Sequence, residues 1–568
     1  MKRLIISTIP EDFDPANDIL LGPWCFLEKE KQYPEWDSFY IEPDPFKSSE
    51  DIIKASRITA DYANSLISDL ADKLNSTNDV HYSDEFWRLL IFPWLLHLVQ
   101  STYERQCRID NVLKKYSQEN ILVELLPNSY HRKFEDSLDF LHNGIFNPEY
   151  NYWIYSRIIE GTIPPSWIIE YGSSVQIDDK HNSNPIKAKN NSIESIRRLL
   201  IKRFFTYLRC YGVYGFGNVQ SILFSFALSF KKIAKNDSFN NNKYQPYKRI
   251  KWHLDFEKII HATLPICFLN IKTLKGRKLR TKKNKIRLLG PVILWNEKTK
   301  YFLGLCLEKG EKFILTQHGC FYGTGKESPI FSEIENKHFA FFSWGWKEQA
   351  DYHGNIIPLP SPLLSKFANK HIPQNNNLIL VGTITYLFTY RLETIPQSKE
   401  LLDYRKNKVI FLESLRQDIF NDVLYRPYFT DIASLSDKPY FRNKFPRLSI
   451  CYGDLNPQIL KCKLLIMDNP GTTFNIAMAA NVPVVCFWYK KHWAFCRQAS
   501  PYFEALEKAG ILYQNGRDAA QKVNEVWDNV PDWWNQKVIQ DARKDWCYQY
   551  ARTSKLWWWE WAKALWKM

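Results

Sequence analysis

The chain has 568 residues, of which 45% are hydrophobic and 15% aromatic, and it carries a formal net charge of +15. That length is too great for one hydrophobic core and predicts two large domains, and the apolar share fits a folded soluble protein. Eleven cysteines without a CxxC pair argue against a disulfide framework or a zinc site and fit a reducing cytoplasm.

The N-terminal MKRLIISTIPEDF predicts a first buried strand. Its apolar run is too short for a signal peptide, and acidic residues follow at once. Residues up to about 45 then read as loop and proline-punctuated segments (LLGPWCF, IEPDPF). From Glu50 to Ser117 the spacing is helical, with Pro93 as a kink or first-turn residue. The longest apolar stretch, Leu89 to Val99, is too short to span a bilayer and contains Pro93 and His97, which predicts a soluble, cytoplasmic protein. Asp178 to Ser192 reads as an exposed polar loop, and Ser192 to Ile233 as a second helical block. KTLKGRKLRTKKNK, Lys272 to Lys285, holds eight basic residues and no acidic one. It is a solvated loop or a contact for an anionic surface such as lipid headgroups. No nucleic-acid-binding pattern accompanies it, so no nucleic acid is expected as partner.

Strand patterns return at IRLLGPVILW and KFILTQHG, and the second runs into the glycine-rich LTQHGCFYGTGK, Leu315 to Lys326. The Walker pattern fails there, because Cys320 stands at its first glycine and Glu327 follows Lys326; the dinucleotide fingerprint fails at Ser328. The segment is either a plain turn with a solvated histidine or a ligand loop at the carboxyl edge of a sheet. A polar linker then leads into LILVGT, whose strand ends at Gly382, and a new α/β series continues through KVIFLES, DVLYRPYF and RLSICYGD. KLLIMDNPGTTFNIAMAANVPVVCFW reads as strand, turn, helix and strand. Its turn offers Gly471, Thr472 and Thr473 at a helix N-terminus, either as an ordinary cap or as a phosphate seat.

The tail holds nine of the 21 tryptophans between Trp527 and Trp566. Helical spacing puts Trp558, Trp561 and Leu565 on one face. A terminal helix packed back on the domains is the main expectation, and contact with an anionic membrane surface the second.

Two α/β domains, a histidine turn in the first and an Asp-to-Thr helix start in the second, resemble the GT-B arrangement. The order Gln317-His318-Gly319, Arg426-Pro427 and Asp468 through Thr473 resembles CDP-glycerol glycerophosphotransferases and capsule-type Kdo and sialyl transferases. LLGPWC, FWRLLIFPWLLHLVQSTYER, QHGCFYGTG, DNPGTTFNIAMAANVPVVCFW and the Trp-rich end resemble a family of transferases found with bacterial O-antigen and surface-polysaccharide genes. The resemblance implies two Rossmann-like domains facing a cleft: residues 1–370 on the acceptor side with helical insertions, 371–540 on the nucleotide-donor side, and 541–568 as the terminal helix. It implies transfer of a sugar, such as a CMP-activated ulosonic acid, from a nucleotide donor to a glycan or lipid-linked glycan. A CDP-polyol phosphotransferase and a non-catalytic glycan-binding protein are the alternatives. One departure stands out: the histidine that neighbours proline in those families is absent, and Arg426 beside Pro427 must take its phosphate role.

In that scheme His318 is the base, with Glu11 or Asp12 as the alternative carboxylate. Gly382, Arg426, Asp468, Gly471, Thr472 and Thr473 would bind the donor, and Gln317, Gly319, Tyr322 and Lys326 would shape the loop or acceptor side. The D-x-D at Asp12 to Asp14 directly follows the first strand, which is the wrong place for a GT-A metal site. No metal and no cofactor are expected.

Overall fold

In the computed structural model the described residues are 1–127, 132–172, 208–231, 250–275, 285–319, 321–383, 386–396, 398, 400–428 and 437–568. Among them, short strands pair into three sheets, and every pairing is parallel. The central strands are runs such as LILV and LLIM that are buried throughout, as strands covered on both faces by helices must be.

The first sheet contains β1 (Lys2–Ile5), β2 (Asp18–Leu20), β3 (Ile121–Leu125) and β4 (Trp167–Tyr171), in the order β2-β1-β3-β4. The second runs in sequence order through β5 (Cys210–Tyr211), β6 (Ile286–Leu289), β7 (Lys312–Thr316), β8 (Ala340–Ser343) and β9 (Ile356–Pro358). The third contains β10 (Leu378–Val381), β11 (Val423–Arg426), β12 (Ser449–Ile450), β13 (Leu464–Met467), β14 (Val484–Phe487) and β15 (Leu512–Tyr513). Its order, β12-β11-β10-β13-β14-β15, is that of a Rossmann-like sheet, and its winding reverses between β10 and β13. The protein is therefore α/β and Rossmann-like, but the region before residue 370 holds two sheets where the sequence suggests one. ILVEL and WIIEY, which form β3 and β4, are short apolar runs that pattern alone does not assign to strand or helix.

The Glu50–Ser117 region forms α1 (Ser49–Ser65), α2 (Ile67–Asn78) and α3 (Asp84–Tyr116). Ser48 and Asp51 form a capping box on α1, and the Ser83 side chain caps α3. Pro93 lies well inside α3 and not in its first turn. Among the described residues, no helix is long and apolar enough to cross a membrane. The charges of α3 are paired inside: Arg108 meets Glu104 at 2.7 Å and Asp44 at 2.6 Å. Arg105 donates to Asn151 at 2.9 Å and to the Thr389 carbonyl, which fastens this helix to the loop after β10.

One other expectation changes. The Ser192–Ile233 block is not one helix, because β5 interrupts it before α4 (Asn218–Phe230). KVIFLES, named in the α/β series, closes the helix Glu400–Glu413 of that series. The loop expected at 178–192, the start of the helical block and most of the 272–285 basic run lie outside the described residues.

Between β13 and β14 runs α5 (Thr472–Ala480), whose alanines allow close packing on the sheet. The tail forms α6 (Lys537–Tyr550) and α7 (Trp557–Lys567). α7 crosses back to the second sheet, where Trp561 and Leu565 share a core with Phe224, Leu228, Leu288 and Phe342. The Trp561 ring N–H donates to the Pro360 carbonyl at 2.8 Å. Trp558 does not share their face as the spacing suggests; it is exposed, and Trp557 packs inward instead.

His97 in α3 is buried and stacked on Trp295 at 5.5 Å. Burial, then the positive charges of Arg391 and Lys300, hold its pKa down to about 3. The unfolded chain takes up this proton near pH 6.5 and the folded chain only near 3, so stability falls as pH drops through that window. His97→Phe should flatten the acid-side loss of Tm, removing on the order of 3 kcal/mol of pH dependence. Melting curves for both proteins between pH 7 and 4 decide this, and equal acid slopes would refute it.

Candidate active site

The turn after β7 is built around Gln317. Its buried side-chain oxygen accepts from the Trp344 amide and the Trp346 ring N–H, both at 2.8 Å, and its Nε2 donates to the Gly319 carbonyl at 2.7 Å. Gln317 is thus used in holding the turn, and His318 is what the turn presents. The His318 side chain is 25% exposed, with Nδ1 3.1 Å from the Tyr322 hydroxyl and 3.6 Å from Glu335 Oε1. The exposed Tyr214 ring lies 6.1 Å away at the rim.

Glu335 ends a π-helical turn, Ile330–Glu335, and is buried. Burial pushes its pKa up to about 8, against the opposing influence of the Tyr322 hydroxyl and Arg391. Burial and the Arg391 charge hold the His318 pKa down to about 4. At neutral pH the pair is therefore a neutral imidazole beside a protonated carboxyl. Arg391 follows β10 and is paired to Glu393 at 2.8 Å, so the third sheet contributes a charge to a site based on the second.

The turn after β13 meets this one. A Cβ added at Gly319 would lie 3.6 Å from Thr472 Oγ1, ordinary van der Waals contact. Gly471 precedes α5 and brings no side chain to cap it, so the positive end of the helix, with the half-buried Thr472 and Thr473, is open to an anion. β13 and β10 flank the winding reversal of the third sheet, where α/β proteins hold ligands.

Asp468 does not point outward. It is buried, accepts from the Thr383 amide at 2.8 and 3.0 Å, and lies 3.6 Å from Lys408 Nζ, so it ties the turns after β10 and β13 together. Lys408 also contacts Asp437, which Arg405 meets at 3.0 Å and the Tyr425 hydroxyl at 3.0 Å. This network lies beside Gly382, where an added Cβ would come within 2.8 Å of Tyr425 Oη. Arg426, half-buried at the end of β11, donates to the Gly453 carbonyl at 2.8 Å.

Three of the expected residues lie in settings of their own. Asp12 is 77% exposed and bound to Arg3 at 2.8 Å, and Glu11 is exposed beside it; both follow β1 of the first sheet. The carboxyl that neighbours His318 is Glu335, and nothing in the segment IFSEIE sets it apart from Glu333. Lys326 reaches Glu50 at 3.1 Å, and its amide donates to the Ala494 carbonyl at 2.8 Å, so it joins loops of the second and third sheets. Among the described residues, no group of three or more His, Cys, Asp or Glu is arranged to hold a metal ion.

Comparison with curated proteins found no match. Comparison with protein families matches residues 2–565 to the LIC12162 family transferase, a span that includes all three sheets and both facing turns. The chain thus belongs to the LIC12162 family of transferases.

Proposed function

We propose that this transferase is a glycosyltransferase of GT-B type that moves a sugar, such as a CMP-activated ulosonic acid, from its nucleotide to a surface glycan or lipid-linked glycan. The observation that carries the reading is the close approach of the Gln317–Gly319 turn to the Thr472 helix start. It brings the turn that carries His318 up to a helix N-terminus suited to an anion, across the carboxyl edges of two sheets. Residues 1–370 would form the acceptor side and 371–540 the donor side.

His318 takes the proton of the acceptor hydroxyl as the oxygen bonds to the anomeric carbon. The bond from that carbon to the phosphate oxygen breaks, and the nucleotide leaves with the electron pair. Its growing negative charge is received by the α5 amides, the Thr472 and Thr473 hydroxyls, and Arg426. Glu335 keeps its proton through this step and, 3.6 Å from the ring, stands beside the imidazolium as a neutral dipole. Asp468, Gly382 and Gln317 set the two turns and touch neither reactant. The cytidine nucleotide rests on the likeness of the motif order to cytidine-dependent transferases.

The test is to incubate the protein with a panel of sugar nucleotides and follow nucleotide release. Release from a CMP-sugar supports the proposal; release only from a CDP-polyol would assign polyol-phosphate transfer instead. Arg426→Ala should weaken donor binding by about 1.5–3 kcal/mol, the worth of a charge-assisted contact, with little change in Tm. Unchanged nucleotide affinity by calorimetry would remove Arg426 from the site.

A further inference from the structure

α4 and α7 lie together over one face of the second sheet. Phe224 and Leu228 of α4 and Trp561 and Leu565 of α7 point into the shared core, and Phe216 packs on Trp557 and Trp561 at 5.3 and 5.4 Å. Lys231, just past α4, donates to the Trp566 carbonyl at 2.8 Å, so the helices are joined at both ends. Their opposite faces look to the same solvent, and those faces are apolar. On α4 they carry Val219, Ile222, Leu223, Phe226 and Phe230, the last two 66% and 72% exposed. On α7 they carry Trp559 and Trp566, the latter 86% exposed, with Lys563 between them at helical spacing.

An apolar stripe normally faces a core; one that faces outward over two adjacent helices marks an interaction surface. Charge selects the partner. α4 contains no charged residue, and the segment 554–568 carries Lys555, Lys563 and Lys567, all exposed, against one acid, Glu560. Glu560 is half-buried and lies 3.9 Å from Arg552. A second copy seated on the same face would bring these lysines against themselves. An anionic bilayer surface matches all three features: phenylalanines entering the acyl boundary, tryptophans at headgroup depth, lysines on lipid phosphates. We propose that α4 and α7 form one docking surface by which the protein lies on an anionic lipid membrane. This rests on the exposed faces alone and holds whatever group the enzyme transfers.

The full chain would be sedimented with vesicles of phosphatidylethanolamine and phosphatidylglycerol, and with vesicles of phosphatidylcholine alone. Binding should favour the anionic vesicles and weaken with salt. Phe226→Ser with Phe230→Ser on α4, and separately Lys563→Glu with Lys567→Glu on α7, should each lower it at least about tenfold, as expected for lost burial and reversed charge. Because these side chains face solvent, the Tm should hold in both variants. The proposal is overturned if the wild-type chain stays in the supernatant, or if the α4 variant binds as well as wild type. It is equally overturned if that variant turns a dimer into a monomer by light scattering with vesicle binding unchanged, since a second copy would then cover the face.

Discussion

Replacing His318 by alanine is expected to lower nucleotide release by about 10²–10⁴-fold, the usual worth of a positioned general base, while leaving the melting temperature close to wild type. The imidazole lies at the mouth of the site, and its hydrogen bond is to a tyrosine hydroxyl that water can replace. Its environment also sets a pH signature. With the His318 pKa held down to about 4, the base form persists well below pH 6.5, so release should stay high as pH falls and decline only toward 4. Glu335→Gln keeps a neutral side chain beside the ring, so rate and donor affinity should both stay near wild type, whereas Glu335→Ala, which opens the buried site, should lower the rate. An acid limb at 6.5 would show that His318 works in open solvent. Full activity in His318→Ala would take the histidine out of the chemistry.

Truncation after Asp545 is expected to leave the chain insoluble or melting far lower. The cut removes Trp546, which is buried with its ring N–H on Asn475 of α5 at 2.8 Å, and Tyr550, whose carbonyl accepts from the same asparagine at 3.1 Å. It also removes α7 and uncovers the core on the second sheet. Losing one such large buried side chain costs about 3–5 kcal/mol, and several together exceed the ~5–15 kcal/mol that holds a domain folded. Two point variants separate packing from surface contact. Trp561→Ala should lose about 3–5 kcal/mol by urea denaturation, whereas Trp559→Ala, on the opposite face, should stay within about 0.5 kcal/mol of wild type. A truncated protein that melts like the full chain would show that the tail contributes no packing.

The two turns of the candidate site are legible in the sequence because each follows a strand buried on both faces, and such strands appear as unbroken apolar runs closed by a glycine turn. KFILTQHG and KLLIMDNPGTT are the clearest cases. KVIFLES is a similar apolar run that belongs to a helix, because a short run on a buried helix looks alike. The carboxyl partner of His318 is not legible. Glu335 follows in a distorted helical turn beyond the glycine-rich loop, and no local period marks it as facing back toward the histidine. Glu11 and Asp12 follow a strand of the first sheet, a division into sheets that the local pattern does not show.

Local pattern alone determines the α/β class, the helical run from Glu50 to Ser117, the turn at Gln317–Gly319 and the strand-turn-helix around Thr472, since each is a periodicity or a glycine within one stretch of chain. Tertiary structure alone decides that the strands divide into three sheets, that burial and Arg391 tune His318 while Glu335 is placed beside it, and that Lys326 is taken by Glu50. It also decides which tryptophans of α7 face inward, because a helix with aromatic residues nearly all round has no preferred side until a neighbour covers one. These are contacts between residues distant in the chain, and their energies depend on what burial brings together, which no local spacing records.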